Sequence, residues 1–207
     1  MPDDEPAERP SLEAVAEWDG GITWFAHPGE DAMRASHALA TESGVWIVDP
    51  LDADGLDERL SGLGEVAGVA VIHDRHTRDA EAIAARHDVP VHVPEWMDLT
   101  REKLDDDPEP LGGRVPGTNY GVHRLIDSDE WEEAVLVDEA GETLVVMETL
   151  GTLPAFCDGD DDIGVQPTLD EIPEGLDDYH PERILVGHGE SIYEDAATKL
   201  AAALDGD

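Results

Sequence analysis

The sequence predicts an α/β fold in which helices pack against a layered β-sheet. Two observations carry that expectation. Short apolar, β-branched runs at residues 45–48, 69–72, 143–147 and 183–186 each lead into a turn of polar or glycine residues, as buried strands do. Between strands lie segments with helical spacing, such as Ala80, Ile83, Ala84 and His87 on one face. At 207 residues the chain is long enough for one good-sized core, which argues for a single domain.

Taken in order, residues 1–10 are charged and Pro-containing and read as a flexible acidic arm, with the domain over 11–207. Ser11 is positioned to cap a helix through Trp18, with Leu12, Val15 and Ala16 on its apolar face and Gly20-Gly21 ending it. Residues 22–26 (I-T-W-F-A) follow as a strand turned by His27-Pro28-Gly29, then residues 36–41 as an alanine-rich one. Residues 45–48 (V-W-I-V) form a strand running into Asp49-Pro50. A short helix over 52–63 connects to the strand at 69–72, and a polar turn from His73 to Arg78 leads into a helix over 79–87.

Residues 89–93 (V-P-V-H-V) form the next strand, with Pro90 tolerated near its start. Residues 95–121 are polar and rich in Gly and Pro and read mainly as loop. A connection of that length is either functional or hides an element. Residues 122–126 form a strand, while 132–138 and 143–147 pair as a hairpin turned by Glu139-Ala140-Gly141. After an irregular acidic stretch at 159–179, residues 183–186 (R-I-L-V) make the last strand. Ser191 and Glu194 fit a capping box for a closing helix bearing Ile192, Ala196, Leu200 and Ala203.

Charge narrows the function classes. There are 51 acidic against 12 basic residues, a formal net charge of −39, and the lysines are Lys103 and Lys199 alone. Acidic runs at 3–5, 105–107 and 158–162 are spread along the chain. That pattern favours adaptation to concentrated salt, whose short Debye length screens self-repulsion, over a docking face for one basic partner. It also argues against nucleic acid as a partner, because phosphates would be repelled. The single cysteine, Cys157, rules out an internal disulfide and a cysteine zinc motif. The M-P-D-D-E-P start lacks the basic and apolar regions of a signal peptide. No apolar run approaches membrane-spanning length. The expectation is a cytoplasmic protein with a small-molecule ligand and no membrane partner.

Two segments carry ligand-type chemistry. His188 stands between Gly187 and Gly189, just beyond a buried strand and before a helix, where the backbone can bring its ring close to a ligand. The turn of His73, Asp74, Arg75, His76, Thr77 and Arg78 sits at a strand-to-helix junction, where a strand end fixes the side chains. His27, His37, His87, His92 and His180 belong to turns, strands or helices without a motif and read as structural or solvated.

Together the pieces resemble the metallo-β-lactamase superfamily. V-W-I-V-D-P at 45–50 is similar to that family's strand ending in Asp, and residues 69–79 stand where it carries Thr-His-x-His-x-Asp-His. T-L-V-V-M-E-T-L at 143–150 resembles the strand that ends in the metal-bridging Asp, and I-L-V-G-H-G at 184–189 the late Gly-His-Gly strand. The resemblance spans residues 22–204 and implies a four-layer αββα sandwich of two mixed β-sheets with the site at one sheet edge.

It also implies site residues. The family's motif falls on Asp74, His76, Arg78 and Asp79, its bridging aspartate on Glu148, and its last histidine on His188. The metal ligands implied are thus Asp74, His76, Asp79, Glu148 and His188, with Asp79 and His188 also catalytic. Arg75 and Arg78 become anion-holding groups, and Asp49 orients a ligand through a hydrogen bond. The departures matter. Arg78 is a permanent donor that cannot coordinate a cation, and the middle histidine falls at Ser128, with His123 the nearest imidazole. The cofactor expectation is therefore at most one divalent ion, zinc first, or none. Three readings stay open: a single-metal hydrolase, a metal-free relic of the fold that binds an anion or a partner, and an unrelated binding domain.

Overall fold

A computed structural model describes residues 9–12, 14–157 and 161–205 of the chain, so the arm expected at 1–10 lies almost wholly outside it. Seven strands make the first sheet. They are β1 Ala14–Trp18, β2 Gly21–Phe25, β3 Ala35–Thr41, β4 Gly44–Val48, β5 Val66–Ala70, β6 Val91–Pro94 and β7 Glu109–Leu111, adjacent in that order. β1 to β4 form an antiparallel meander and β4 to β7 run parallel. Parallel neighbours need crossovers, supplied by α1 Leu56–Leu63, α2 Ala80–His87 and the single turn α3 Asp98–Arg101.

The remaining strands are β8 Tyr120–Asp127, β9 Glu132–Asp138, β10 Thr143–Val146, β11 Leu150–Gly151, β12 Gly164–Val165 and β13 Arg183–Val186. The second sheet has the order β13-β10-β9-β8, and β11 pairs with β12 as a separate small hairpin. Alternation along these strands sorts the core. Leu136, Val145 and Leu185 join the core of the first sheet, together with Leu56, Leu60 and Ile83 of its helices. Val135, Leu144, Val146, Ile184 and Val186 pack instead with Ala196 and Leu200 of α4 Ala196–Asp205. The result is two mixed sheets face to face with helices outside, the αββα order expected. None of the described helices is long and apolar enough to cross a membrane.

Three local expectations are corrected. The segment expected as a helix from Ser11 is strand β1, joined to β2 by the turn Asp19-Gly20 with Gly20 at φ 114°. Leu12, Val15 and Trp18 fit helical spacing, yet they pack on the sheet core, and the tight Asp-Gly turn favours a hairpin. The closing helix starts at Ala196 rather than near Ser191, because Ile192 exchanges both backbone hydrogen bonds with Ile184 at 2.8 Å. The supposed loop at 95–121 hides α3 and β7.

Two backbone stitches join the sheets. Ala134 N–H donates to the Ile72 carbonyl (2.8 Å) and Asp74 N–H to the Glu132 carbonyl (3.1 Å), which pairs His73 with Glu133. Ala35 N–H donates to the Gly187 carbonyl (2.9 Å) and Gly189 N–H to the Met33 carbonyl (3.0 Å), which pairs Arg34 with His188.

Candidate metal centre

Both stitches deliver a histidine to one place. His73 and His76 come from the loop after β5, Glu148 from the turn after β10, and His188 from the end of β13. The second delivery depends on small residues. A Cβ at Gly187 would stand 2.2 Å from the Met147 carbonyl oxygen, and Gly189 combines φ 90° with a Cβ position 2.2 Å from Thr152 Oγ1. Only glycine accepts both restraints.

The three imidazoles gather around one carboxylate. His188 Nε2 lies 2.8 Å and His76 Nε2 3.4 Å from the same oxygen, Glu148 Oε2. Ring centroids are 4.6 Å apart for His73 and His76, and 5.6 Å for His76 and His188. Ligand atoms of His73, His76 and Glu148 all lie within 4.8 Å of one another. The cluster is nearly dry: His73 is fully buried, and the His188 side chain is 13% exposed. Phe156 stacks on the His188 ring at 5.9 Å, and Gln166 Nε2 donates to Glu148 Oε1 at 2.8 Å.

Burial, helped by the nearby Arg78 charge, lowers the His76 pKa well below the ordinary imidazole value, so a lone pair is free at neutral pH. Burial also lowers His73, against the pull of Glu133, Glu148 and Asp74. For Glu148 burial pushes upward, but the contacts from His188 and then His76 outweigh it and hold the carboxyl below the usual carboxylate range. His188 Nδ1–H donates to the Ala32 carbonyl at 2.9 Å. His188 Nε2 faces Glu148 Oε2 at 2.8 Å, where a proton or a cation between the two atoms would satisfy both. His73 Nε2 is buried without a hydrogen-bond partner. Imidazole nitrogens around a carboxylate are a donor set that suits a divalent transition metal.

No family model matches the chain, and neither does any curated protein. Solved structures do match. The metallo-β-lactamase TMB-1 aligns at 16% identity over 95% of this chain and 98% of its own, with a TM-score of 0.63. A β-lactamase domain protein from Burkholderia ambifaria aligns at 15% identity over 96% and 74%, with a TM-score of 0.64. The chemotaxis sensor ODP, solved as a peroxy diiron species, aligns at 11% over 94% and 95%, with a TM-score of 0.59. The chain has the metallo-β-lactamase fold.

On this metallo-β-lactamase scaffold the expected site residues divide into two sets. His76, Glu148 and His188 meet. Asp74 touches the cluster only through His73, 3.9 Å away, because its carboxylate takes Lys103 Nζ (2.8 Å) and the Glu132 N–H (3.3 Å). Asp79 is engaged elsewhere, its Oδ2 accepting the Asp52 N–H at 2.7 Å. Arg78, expected to hold an anion, instead gives Nη1 to the carbonyls of Ala35 (2.6 Å) and Asp49 (2.8 Å). Burial brings its pKa down to about 10, so the guanidinium stays cationic at neutral pH. Arg75 is half exposed, 4.0 Å from Glu148 Oε1 and 4.9 Å above the Trp131 ring.

Asp49 lies under His76, its Oδ2 3.5 Å from His76 Nδ1, while Oδ1 accepts the Ile72 N–H at 2.9 Å. Burial pushes the Asp49 carboxyl up to about 8, against the pull of Arg78 and of the Ile72 N–H. Met33, Asp49 and Arg78 all adopt positive φ (35°, 44° and 44°), backbone strain gathered around the cluster. The sequence places His73 in the ligand-type turn without counting it among the metal ligands, and gives no sign of Glu133. His73 had a signal as the first polar residue after the apolar run at 69–72, whereas Glu133 is one of 51 acidic residues and carried none.

Proposed function

We propose that this chain is a metal-dependent hydrolase holding one divalent ion, zinc first among the candidates, through His76, His188 and Glu148, with His73 at the margin. The observation that carries the reading is the convergence of two imidazole Nε2 atoms on Glu148 Oε2, at 2.8 and 3.4 Å. A bound ion would lower the pKa of water and polarise an ester, thioester, amide or phosphate. The protein's own groups do the rest. Asp49 places a carboxylate oxygen 3.5 Å beneath His76 Nδ1, within reach of a hydrogen bond that would orient the ring, and the Ala32 carbonyl fixes the tautomer of His188. Phe156 shields the His188 ring from water. Arg75 stands at the mouth to take an anionic group of the substrate. The buried charge of Arg78 opposes a second cation beside the cluster.

Elemental analysis of protein purified in concentrated salt without chelator tests the reading. One metal per chain is expected, together with hydrolysis of an activated ester, thioester or phosphodiester that a chelator abolishes. Two tightly held metals would overturn the single-ion part. The tight covering by Phe156 and Gln166 favours a second reading, a metal-free relic of the fold. Absence of metal and of hydrolysis in the same protein would decide for it.

A further inference from the structure

We propose that Glu133 is a positioning residue that sets the Glu148 turn and the His73 segment against each other. The inference rests on the metal reading above but has its own readout. Glu133 is fully buried and touches no ligand atom facing the cluster centre. Its Oε1 accepts the N–H groups of Met147 (2.9 Å) and Glu148 (2.8 Å), with a longer contact to Thr149 N–H (3.2 Å). Its Oε2 accepts Thr149 N–H (3.0 Å) and Thr149 Oγ1–H (2.6 Å). Every partner is a donor, so the position calls for a group that only accepts.

The three amides belong to consecutive residues of the turn that carries Glu148. Holding them on one carboxylate fixes the peptide planes on both sides of Glu148, and with them the direction of its side chain. At its own backbone Glu133 pairs with His73 through the first stitch between the sheets. One residue thus links the second-sheet ligand to the first-sheet loop. An amide in its place would turn a donor toward either the Thr149 pair or the Met147 and Glu148 pair.

Glu133→Gln keeps the volume and removes the acceptor-only chemistry. The readouts are cobalt(II) affinity, the visible spectrum of the cobalt-loaded protein, and the thermal midpoint in concentrated potassium chloride. Histidine ring resonances of the metal-free protein add a readout that needs no metal. Cobalt affinity should fall about 10–100-fold, the range for groups that orient a ligand, with an altered spectrum and shifted His73 and His188 resonances. A lower midpoint with wild-type affinity and spectrum overturns the proposal, because a purely structural role does that much. If the wild-type chain takes up no cobalt, the metal reading falls, and the resonances then decide: shifted in Glu133→Gln supports positioning, unchanged overturns it. Where Glu133→Gln does not fold, Thr149→Val, which removes one donor and leaves the three amides, is read the same way. A changed cobalt spectrum or changed resonances support the role, and wild-type behaviour in both refutes it.

Discussion

Glu148 and His188 leave two neighbouring parallel strands whose register pairs Val146 with Val186. Each ligand stands two residues beyond that pair, so strand register brings their backbones side by side, and the two side chains meet at 2.8 Å. His73 and His76 are placed in another way. Their loop is shaped by contacts from distant segments: Lys103 on Asp74, the Ala35 and Asp49 carbonyls on Arg78, and the Asp52 N–H on Asp79. One side of the site is thus written in sheet geometry, the other in side chains that serve the loop. The residues of the second side that look like ligands in sequence are largely its braces.

The contrast predicts unequal ligands. His188→Ala should lower metal affinity more than about 100-fold, beyond the range for residues that only orient a ligand. His73→Ala should cost less than about tenfold on the same scale. The reason is that His73 Nδ1 accepts the Arg75 N–H at 3.0 Å, which places the proton of the neutral ring on Nε2, where a metal would need a lone pair. Competition titration with a chromophoric chelator measures both. Equal losses would break the distinction between the two sides.

Bracing can be tested through stability. Arg78→Met removes the guanidinium that ties the Ala35 and Asp49 carbonyls together and leaves those buried acceptors short of a donor. A loss of roughly 2–4 kcal/mol is expected, read by urea unfolding at a fixed, high concentration of potassium chloride. A change within about 0.5 kcal/mol, the ordinary range for surface substitutions, would mean that the loop is held by its other contacts.

The same division explains what the sequence disclosed. The β10 and β13 ends were legible because an apolar run followed by Glu or Gly-His-Gly is a local pattern, and the parallel register did the rest. The β9–β10 hairpin was legible for the same reason, through Gly141 in its turn. The loop after β5 was not, because spacing that matched a known motif started at Asp74, whereas Lys103, 29 residues away, claims that carboxylate. Glu133 was illegible because its partners are three backbone amides and one hydroxyl 16 residues away, which leave no trace in local side-chain pattern. β1 was misread where helical spacing of Leu12, Val15 and Ala16 outweighed the Asp19-Gly20 hairpin signal, and only pairing with β2 resolves it.

The well-registered side is also tied to the first sheet through a histidine that burial keeps neutral. His37 on β3 donates through Nε2 to the Val186 carbonyl at 3.0 Å, while its Nδ1 accepts the Thr23 hydroxyl at 2.9 Å. Burial, partly offset by the Val186 contact, lowers its pKa to about 3, so the native ring stays neutral at pH values where the unfolded chain already binds a proton. Below about pH 6.5, the ordinary imidazole value, the unfolded state therefore holds the extra proton. Stability is fully present above that value and is lost as pH falls toward 3. The slope from this one group is at most roughly 1.4 kcal/mol per pH unit. Urea unfolding of wild type and His37→Gln between neutral pH and about pH 4 isolates it, because every other titrating group is common to both. Wild type should lose stability more steeply on acidification than the variant. Parallel curves would show that His37 is not held neutral, and that the contact with the Thr23 hydroxyl does not depend on its Nδ1 lone pair.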